Sequence, residues 1–289
     1  MEGSMVIIME ITGSINEVRK QVKEWRRQGF TVGLVPTMGY LHEGHKSLID
    51  RAVAENDRVV VSDFVNPIQF GVNEDLATYP RDIEKDKRLC EQAGAALVFH
   101  PEAEEMYAPD FSTYVEMKKV SEGLCGRTRP GHFRGVCTVV CKLFHIVMPD
   151  RAYFGQKDAQ QLAVIRRMVR DLNLDIQIVG CPIIREEDGL AKSSRNTYLN
   201  EEERKAARVL SRAVYHGESM IKEGERDADT ILSQMRRIIE AEPLARIDYV
   251  EMVDADSIEP LTKAEGRVLT AMAVYIGSTR LIDNFIVEV

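Results

Sequence analysis

The feature that most restricts how this chain can fold is a strand–turn–helix passage near its N-terminus. The apolar run Thr31-Val32-Gly33-Leu34-Val35 leads into Pro36-Thr37-Met38-Gly39-Tyr40-Leu41-His42-Glu43-Gly44-His45. Leu48, Ile49, Ala52 and Val53 then recur at helical spacing, which predicts a helix over 45–56. A valine-rich strand is expected over 58–65, ending in the turn Asn66-Pro67-Ile68-Gln69-Phe70-Gly71. Another helix should run from Tyr79-Pro80-Arg81-Asp82 to Gly94, with a strand over 95–99 after it. Strands alternating with helices argue for a parallel α/β sheet. Such sheets take ligands at the carboxyl ends of their strands, so the loops at 36–45 and 66–71 are expected to face one crevice.

The rest of the chain fits around that nucleus. Ser14-Ile15-Asn16-Glu17 reads as a capping box; Ile15, Val18, Val22 and Trp25 follow at helical spacing, and Gly29 is the expected stop. Residues 111–115 are expected to form a strand, 126–135 a polar glycine-bearing loop and 136–147 a largely buried helix. A short strand at 152–154 leads to Gly155-Gln156-Lys157-Asp158, then a helix marked by Leu162, Ile165 and Val169, then a strand over 174–179. After Cys181-Pro182 the chain becomes polar and rich in turn formers, which places a domain boundary there: 1–183 and 184–289. Two amphipathic helices (201–223 and 227–240) and strands at 247–253, 267–276 and 281–287 make the second part a small α+β domain, a candidate lid.

Composition removes several functional classes. The 289 residues carry a formal charge of −8, a poor footprint for a nucleic-acid binder. The five cysteines include no Cys-x-x-Cys pair, and Cys137 and Cys141 lie at i, i+4 in an apolar helical run, a pattern suited to buried thiols in a reducing cytosol. Residues 1–10 are too short and lack the basic flank of a secretory signal. No apolar run approaches the roughly 20 residues of a membrane span.

Three segments carry the chemistry. The first is the helix start at His42 and His45, where outward-pointing backbone N–H groups and the helix dipole favour an anion. Its histidines are spaced i, i+3, whereas a zinc-protease helix needs i, i+4 and further ligands, so no metal ligand is assigned. Gly39 and Gly44 imitate a P-loop, but His45 intervenes before Lys46-Ser47 and would turn the lysine off the phosphates. Taken alone, the histidines could equally be helix caps. The second segment is Asp188-Gly189-Leu190-Ala191-Lys192-Ser193-Ser194-Arg195-Asn196, two hydroxyls between two cations, suited to clamp a polyphosphate from a flexible loop. The third is Gly155-Gln156-Lys157-Asp158-Ala159-Gln160-Gln161, where Lys157 would neutralise phosphate and Asp158 would cap a helix or bond a ribose hydroxyl. Together, a His-x-Gly-His turn and a distal Lys/Ser loop point to nucleotidyl transfer.

The motifs Pro36-Thr37-Met38-Gly39, His42-Glu43-Gly44-His45, Asn66-Pro67-Ile68-Gln69-Phe70, Gly131-His132-Phe133-Arg134-Gly135-Val136, Tyr153-Phe154-Gly155-Gln156-Lys157-Asp158 with Gln160-Gln161, and Lys192-Ser193-Ser194-Arg195-Asn196 occur together and in order. In this the chain resembles the pantoate–β-alanine ligase family over nearly its whole length. The resemblance implies a Rossmann-like parallel-sheet domain and a smaller C-terminal domain. It also implies a reaction in which ATP and pantoate form a pantoyl adenylate that the amine of β-alanine then attacks. By position, Met38, Gly39, Tyr40, Leu41, His42, Glu43, Gly44 and His45 would line the ATP site, with His45 as proton donor. Gly155, Gln156, Lys157 and Asp158, and Lys192, Ser193, Ser194 and Arg195, match the other nucleotide-binding segments. Ile184 stands where a valine usually contacts adenine, and Lys192 where an apolar residue is common. Gln69 and Gln161 would hold pantoate, with Gln69 also near β-alanine. Mg2+ and a homodimer are implied as well.

Elementary chemistry is consistent with those roles. A carboxylate nucleophile is ionised at neutral pH and needs no base, so the first step asks the site for positive charge and donors, the parts suited to His42, His45, Lys157 and Arg195. Mg2+ commonly leans on substrate phosphates, and Asp82 reads better as a helix cap than as its ligand. Neutral amides such as Gln69 and Gln161 can bond a hydroxy acid without quenching its carboxylate in a salt bridge.

Overall fold

The computed structural model describes residues 8–72 and 74–289; of the segment 1–10 read above, residues 1–7 lie outside it. The chain forms two compact units. One gathers residues up to Glu116 with Gly131–Gly155 and Ile165–Cys181; the other gathers Met117–Pro130, Gln156–Val164 and Pro182–Val289. Segments 117–130 and 156–164 thus precede residue 184 in sequence yet group with the second unit.

In chain order the first part comprises β1 (Glu10–Thr12), α1 (Ile15–Arg27), β2 (Val32–Thr37), α2 (Glu43–Glu55), β3 (Arg58–Asp63), α3 (Ile83–Ala93), β4 (Leu97–Phe99), α4 (Ala103–Met106), α5 (Leu124–Thr128), α6 (His132–Val147), β5 (Arg151–Gly155), α7 (Ala159–Asp171) and β6 (Gln177–Cys181). The strands form one parallel sheet in the order β1-β4-β3-β2-β5-β6. The connections step outward from β2 to β3 and β4, then return to the other side of β2 for β5. The switch point therefore falls between β2 and β5, which pair through Gly33↔Arg151 and Leu34↔Ala152. The central strands are buried on both faces: Val59, Val60 and Val61 are at most 1% exposed, as helices on both sides of a parallel sheet require.

Local expectations held in most places. Gly29 (φ +81) and Gly94 (φ +85) terminate α1 and α3 in the left-handed region. Ser14 accepts the Glu17 amide at 3.4 Å, but the reciprocal half of the expected capping box is absent, because the Glu17 carboxylate is engaged by the Thr12 hydroxyl. Residues 111–115 are not a strand. Phe111 stacks edge-to-face between Tyr107 and Tyr114, and the Val115 amide is satisfied by the Thr138 hydroxyl of α6 rather than by a strand partner. The loop expected at 126–135 is largely helical: α5 occupies its start, and α6 begins at His132 behind Gly131, whose φ of +84 makes the entry turn. β6 lies later than the strand expected at 174–179, because the chain closes α7 first, with Leu174 N–H donating to Val169 O.

The second unit is built on an antiparallel meander, β7 (Ala245–Asp254), β8 (Arg267–Ile276) and β9 (Thr279–Glu288), with α8 (Glu201–Ala207), α9 (Val209–Lys222) and α10 (Ala228–Glu240). The single helix expected over 201–223 is two, α8 and α9, joined at Arg208. Met235, Ile231, Leu210 and Met272 form the centre of its core.

Candidate active site

Loops leave the carboxyl ends of the neighbouring strands β2, β3 and β5, and buried polar groups of the first unit set the geometry of the first two. The turn after β2 passes through Gly39 (φ +79) and Tyr40 (φ +51). Asp86 of α3, 1% exposed, accepts the Tyr40 and Leu41 amides at 2.6 Å each and so holds this turn. A Cβ on Gly39 would collide with the carboxylate of Asp63, at the end of β3. Burial pushes the Asp86 carboxyl up to about 6, against the pull of its two amide bonds. Asp63 is 4% exposed, and its carboxylate, 3.7 Å from His100 Nδ1, raises the imidazole's pKa.

The turn delivers two histidines to the start of α2. His42 is the N-cap, and its Nδ1 accepts the Gly44 amide at 3.1 Å; His45 Nδ1 accepts the His42 amide at 3.3 Å. The rings lie 4.1 Å apart between centroids, tilted by 33°. The capping role left open by the sequence is therefore real, and it also has a chemical consequence. A neutral imidazole whose Nδ1 accepts must carry its hydrogen on Nε2. Both rings are thus N–H donors without being charged. The anion-directed donors expected of the helix N-terminus are in part taken up by the rings, which replace them with their own.

The second loop is the single 3₁₀ turn Pro67–Gln69, N-capped by Asn66. Asn66 and Gln69 are 1% and 8% exposed, and their amides are bonded to each other, Asn66 Nδ2 donating to Gln69 Oε1 at 2.9 Å. Gly135 of α6 lies flush against this turn. A Cβ there would meet Gln69 Cα and Ile68 O at 2.5 Å, so no side chain fits. His132 Nδ1 donates to Gln69 O at 3.0 Å. The third loop begins as β5 ends at Gly155.

The second unit positions the other expected residues. Gln156–Asp158 form a 3₁₀ turn whose Gln156 and Lys157 carbonyls accept the Asn284 amide of β9 at 3.1 and 2.8 Å. Gln160 and Gln161, adjacent in sequence, differ in employment. Gln160, 6% exposed, bonds Cys125 N, Val120 O and Gly123 O and is structural; Gln161 is only partly buried. The segment from Ile184 to Arg195 is braced: Lys192 N–H donates to Ile184 O, Asn196 to Glu186 Oε1, and Arg185 forks onto Asp283 at 2.7 and 2.9 Å. Ser193 Oγ accepts the Arg195 amide at 3.3 Å. The loop pictured as flexible is tied at both ends to its own unit. Asp82 caps α3, accepting the Lys85 amide at 3.0 Å.

Asp86, Tyr107 and Asn284 were missed by sequence reasoning, and Asn66 was quoted without a role. Asp86, Tyr107 and Asn284 lie outside every motif; Asn66 had a signal, its place in the Asn66-Pro67-Ile68-Gln69-Phe70 motif at a strand's carboxyl end.

The sequence profile described as pantoate-beta-alanine ligase matches residues 10–286. The chain belongs to the pantoate–β-alanine ligase family. It is an amide-forming ligase that joins pantoate to β-alanine. A pantothenate synthetase of Clostridium acetobutylicum is 61% identical over 277 residues, covering 96% of this chain and 99% of that one. The structure of pantothenate synthetase from Thermus thermophilus superposes with a TM-score of 0.91 at 45% identity, covering 96% of this chain and 99% of that one. A pantoate-beta-alanine ligase from Francisella tularensis, solved with beta-gamma ATP and beta-alanine, gives 0.78 at 32% identity over 96% and 97%. The six-stranded parallel sheet and the separate antiparallel sheet are the architecture of this ligase family. Among the described residues no helix is long and apolar enough to cross a membrane.

Proposed function

We propose that the ligase activity runs through a pantoyl adenylate. The pantoate carboxylate attacks the α-phosphorus of ATP and pyrophosphate leaves. The neutral amine of β-alanine then attacks the acyl carbon, AMP leaves with the electrons of the acyl–oxygen bond, and the amine's proton is lost. The observation that carries this reading is the pair of Nδ1-capped imidazoles at His42 and His45. Held as Nε2–H donors, they suit the developing negative charge around an α-phosphate without depending on protonation. His45 donates its Nε2–H to that charge as a hydrogen bond, and His42 supports it.

The backbone from Met38 to Leu41, with Glu43 and Gly44, forms the rest of the phosphate turn. Gly155, Gln156, Lys157 and Asp158 serve the nucleotide, as do Ile184 at the adenine and Lys192, Ser193, Ser194 and Arg195 at the departing pyrophosphate. Lys157 and Arg195 supply fixed positive charge there. Gln69 and Gln161 hold pantoate. Among the described residues no group of three or more His, Cys, Asp or Glu is placed to hold a metal; Mg2+ would arrive on the nucleotide's phosphates and screen their charge. The division at residue 184, with residues 184–289 excluding water from the adenylate as a lid, belongs to the same reading. So do a homodimer and a cytosolic location, the latter suited to five free cysteines.

The test is a pyrophosphate and AMP assay with each substrate omitted in turn. Pyrophosphate release should require pantoate but not β-alanine, and AMP release should require all three. AMP release without pantoate, or pyrophosphate release only when β-alanine is present, would defeat the adenylate reading.

A further inference from the structure

Gln69 is asked to hold pantoate, and an amide can present either its oxygen or its nitrogen. Four neighbours decide which. Gly135 O is a pure acceptor and lies 3.2 Å from Asn66 Nδ2, so the nitrogen of Asn66 must face α6. Its oxygen then faces away, where the Tyr107 hydroxyl donates to it at 2.7 Å. Burial holds the Tyr107 phenol well above its usual pKa, so it stays a donor at any pH the enzyme meets. The same Asn66 nitrogen also donates to Gln69 Oε1 at 2.9 Å, which fixes the oxygen of Gln69 inward. Gln69 Nε2 is left on the other side, 3.1 Å from the thioether of Met38, which can only accept. Each link constrains the next, and neither amide has a consistent alternative orientation.

We infer that Tyr107 is a positioning residue for the acid substrate, acting through Asn66 to lock Gln69 with its NH2 group toward the Met38 turn. The inference rests on the reading of Gln69 as a pantoate contact. Gln69 then recognises only an acceptor oxygen of the hydroxy acid. A hydroxyl whose hydrogen must be donated finds no partner there. The sequence gives no hint of this, because Tyr107 lies 41 positions from Asn66 and outside every motif. The phenol is packed between Phe64 and Phe111, at 6.2 and 4.9 Å between ring centroids, so the phenyl ring of a Tyr107→Phe variant keeps its place and only the hydroxyl is lost.

The experiment is the first half-reaction alone, pantoate-dependent pyrophosphate release without β-alanine, in wild type, Tyr107→Phe, Gln69→Ala and Gln69→Glu, with thermal midpoints recorded for each. Loss of one buried donor should raise the KM for pantoate about tenfold in Tyr107→Phe, with the KM for ATP within about twofold of wild type. Gln69→Glu, which fits the same space but offers only lone pairs toward the turn, should lose pantoate saturation while its KM for ATP stays unchanged. A Tyr107→Phe enzyme with wild-type pantoate KM, beside an impaired Gln69→Ala, would overturn the relay and leave the pantoate contact standing. Full retention by Gln69→Ala would instead remove the contact on which the relay rests. Equal rises in both KM values in Tyr107→Phe would mark a general packing defect and also overturn the assignment. Should Tyr107→Phe fail to fold, Gln69→Glu decides: normal pantoate saturation in it would refute the locked orientation.

Discussion

Asp86 makes one part of the structure sensitive to pH in the opposite sense from most acidic residues. Its carboxyl moves from an ordinary 3.8 to about 6 because it is buried, with the Asp63 charge adding to the effect. A shift of that size corresponds to about 3 kcal/mol between the protonated and ionised folded states. The folded chain binds this proton more tightly than the unfolded chain does. Stability should therefore be lowest above pH 7, where Asp86 is ionised, and should rise as pH falls through 6. The gain between pH 7.5 and 5.5 from this group alone is about 1 kcal/mol. His100, raised by Asp63, contributes stability that is present at low pH and lost as pH rises, and so adds with the same sign. The carboxylates held low, such as Glu55 and Asp254, lose their contribution only on further acidification. The turn at Tyr40 and Leu41 pays for this stability, because a protonated carboxyl offers one good acceptor where two amides need one each. Urea unfolding at pH 7.5, 6.5 and 5.5, paired with ATP KM at the same values, should show stability rising while ATP affinity falls. Asp86→Asn should flatten most of the stability slope and raise the ATP KM about five- to thirtyfold at pH 7.5, equivalent to 1–2 kcal/mol of misoriented hydrogen bonding. A wild-type slope of the opposite sign, or an Asn variant with unchanged slope and unchanged ATP KM, would refute the reasoning.

Other consequences are more direct. Gly135→Ala forces α6 off the 66–69 turn, and should cost about 1–3 kcal/mol in chemical denaturation while impairing the pantoate-dependent step. Arg185→Met strands Asp283, which is 1% exposed; a loss of about 3 kcal/mol is expected in the denaturation midpoint, with much of it recovered in Arg185→Met/Asp283→Asn. His45→Ala should lower the pyrophosphate-release rate by about a hundredfold with ATP binding retained by calorimetry, and unchanged turnover would remove His45 from the reaction.

The parts of this molecule legible in its sequence are those where one physical rule acts alone. Alternating apolar runs and helical spacings specify β2, α2, β3 and α3, because burial of both sheet faces leaves little choice of residue. Gly29 and Gly94 announce their helix ends because φ near +80° excludes most side chains. Errors cluster where tertiary partners replace local ones. Residues 111–115 have the aromatic and β-branched content of a strand, yet α6 supplies their hydrogen-bond partner, Thr138, and Phe111 and Tyr114 stack on each other instead of alternating across a sheet. β1, with three residues, is too short to show any period and exists only as an edge partner of β4.

The motifs proposed for catalysis stood out in the sequence for a different reason: imidazoles, cations and glycines at a strand's end have few structural uses in common. Their supports were not. Asp86, Asn66, Tyr107 and Asn284 are ordinary residue types whose meaning comes only from what lies across space from them. A buried carboxylate under the turn between β2 and α2 looks, in sequence, like any acid on an amphipathic helix. In the folded chain it is the group that fixes the turn, at a cost in solvation that an anion bound at the proposed site would make larger. That cost is the reason to expect function there. Helix α3 could be packed more stably around an apolar residue at position 86, and what an apolar side chain could not provide is two acceptors aimed at Tyr40 and Leu41.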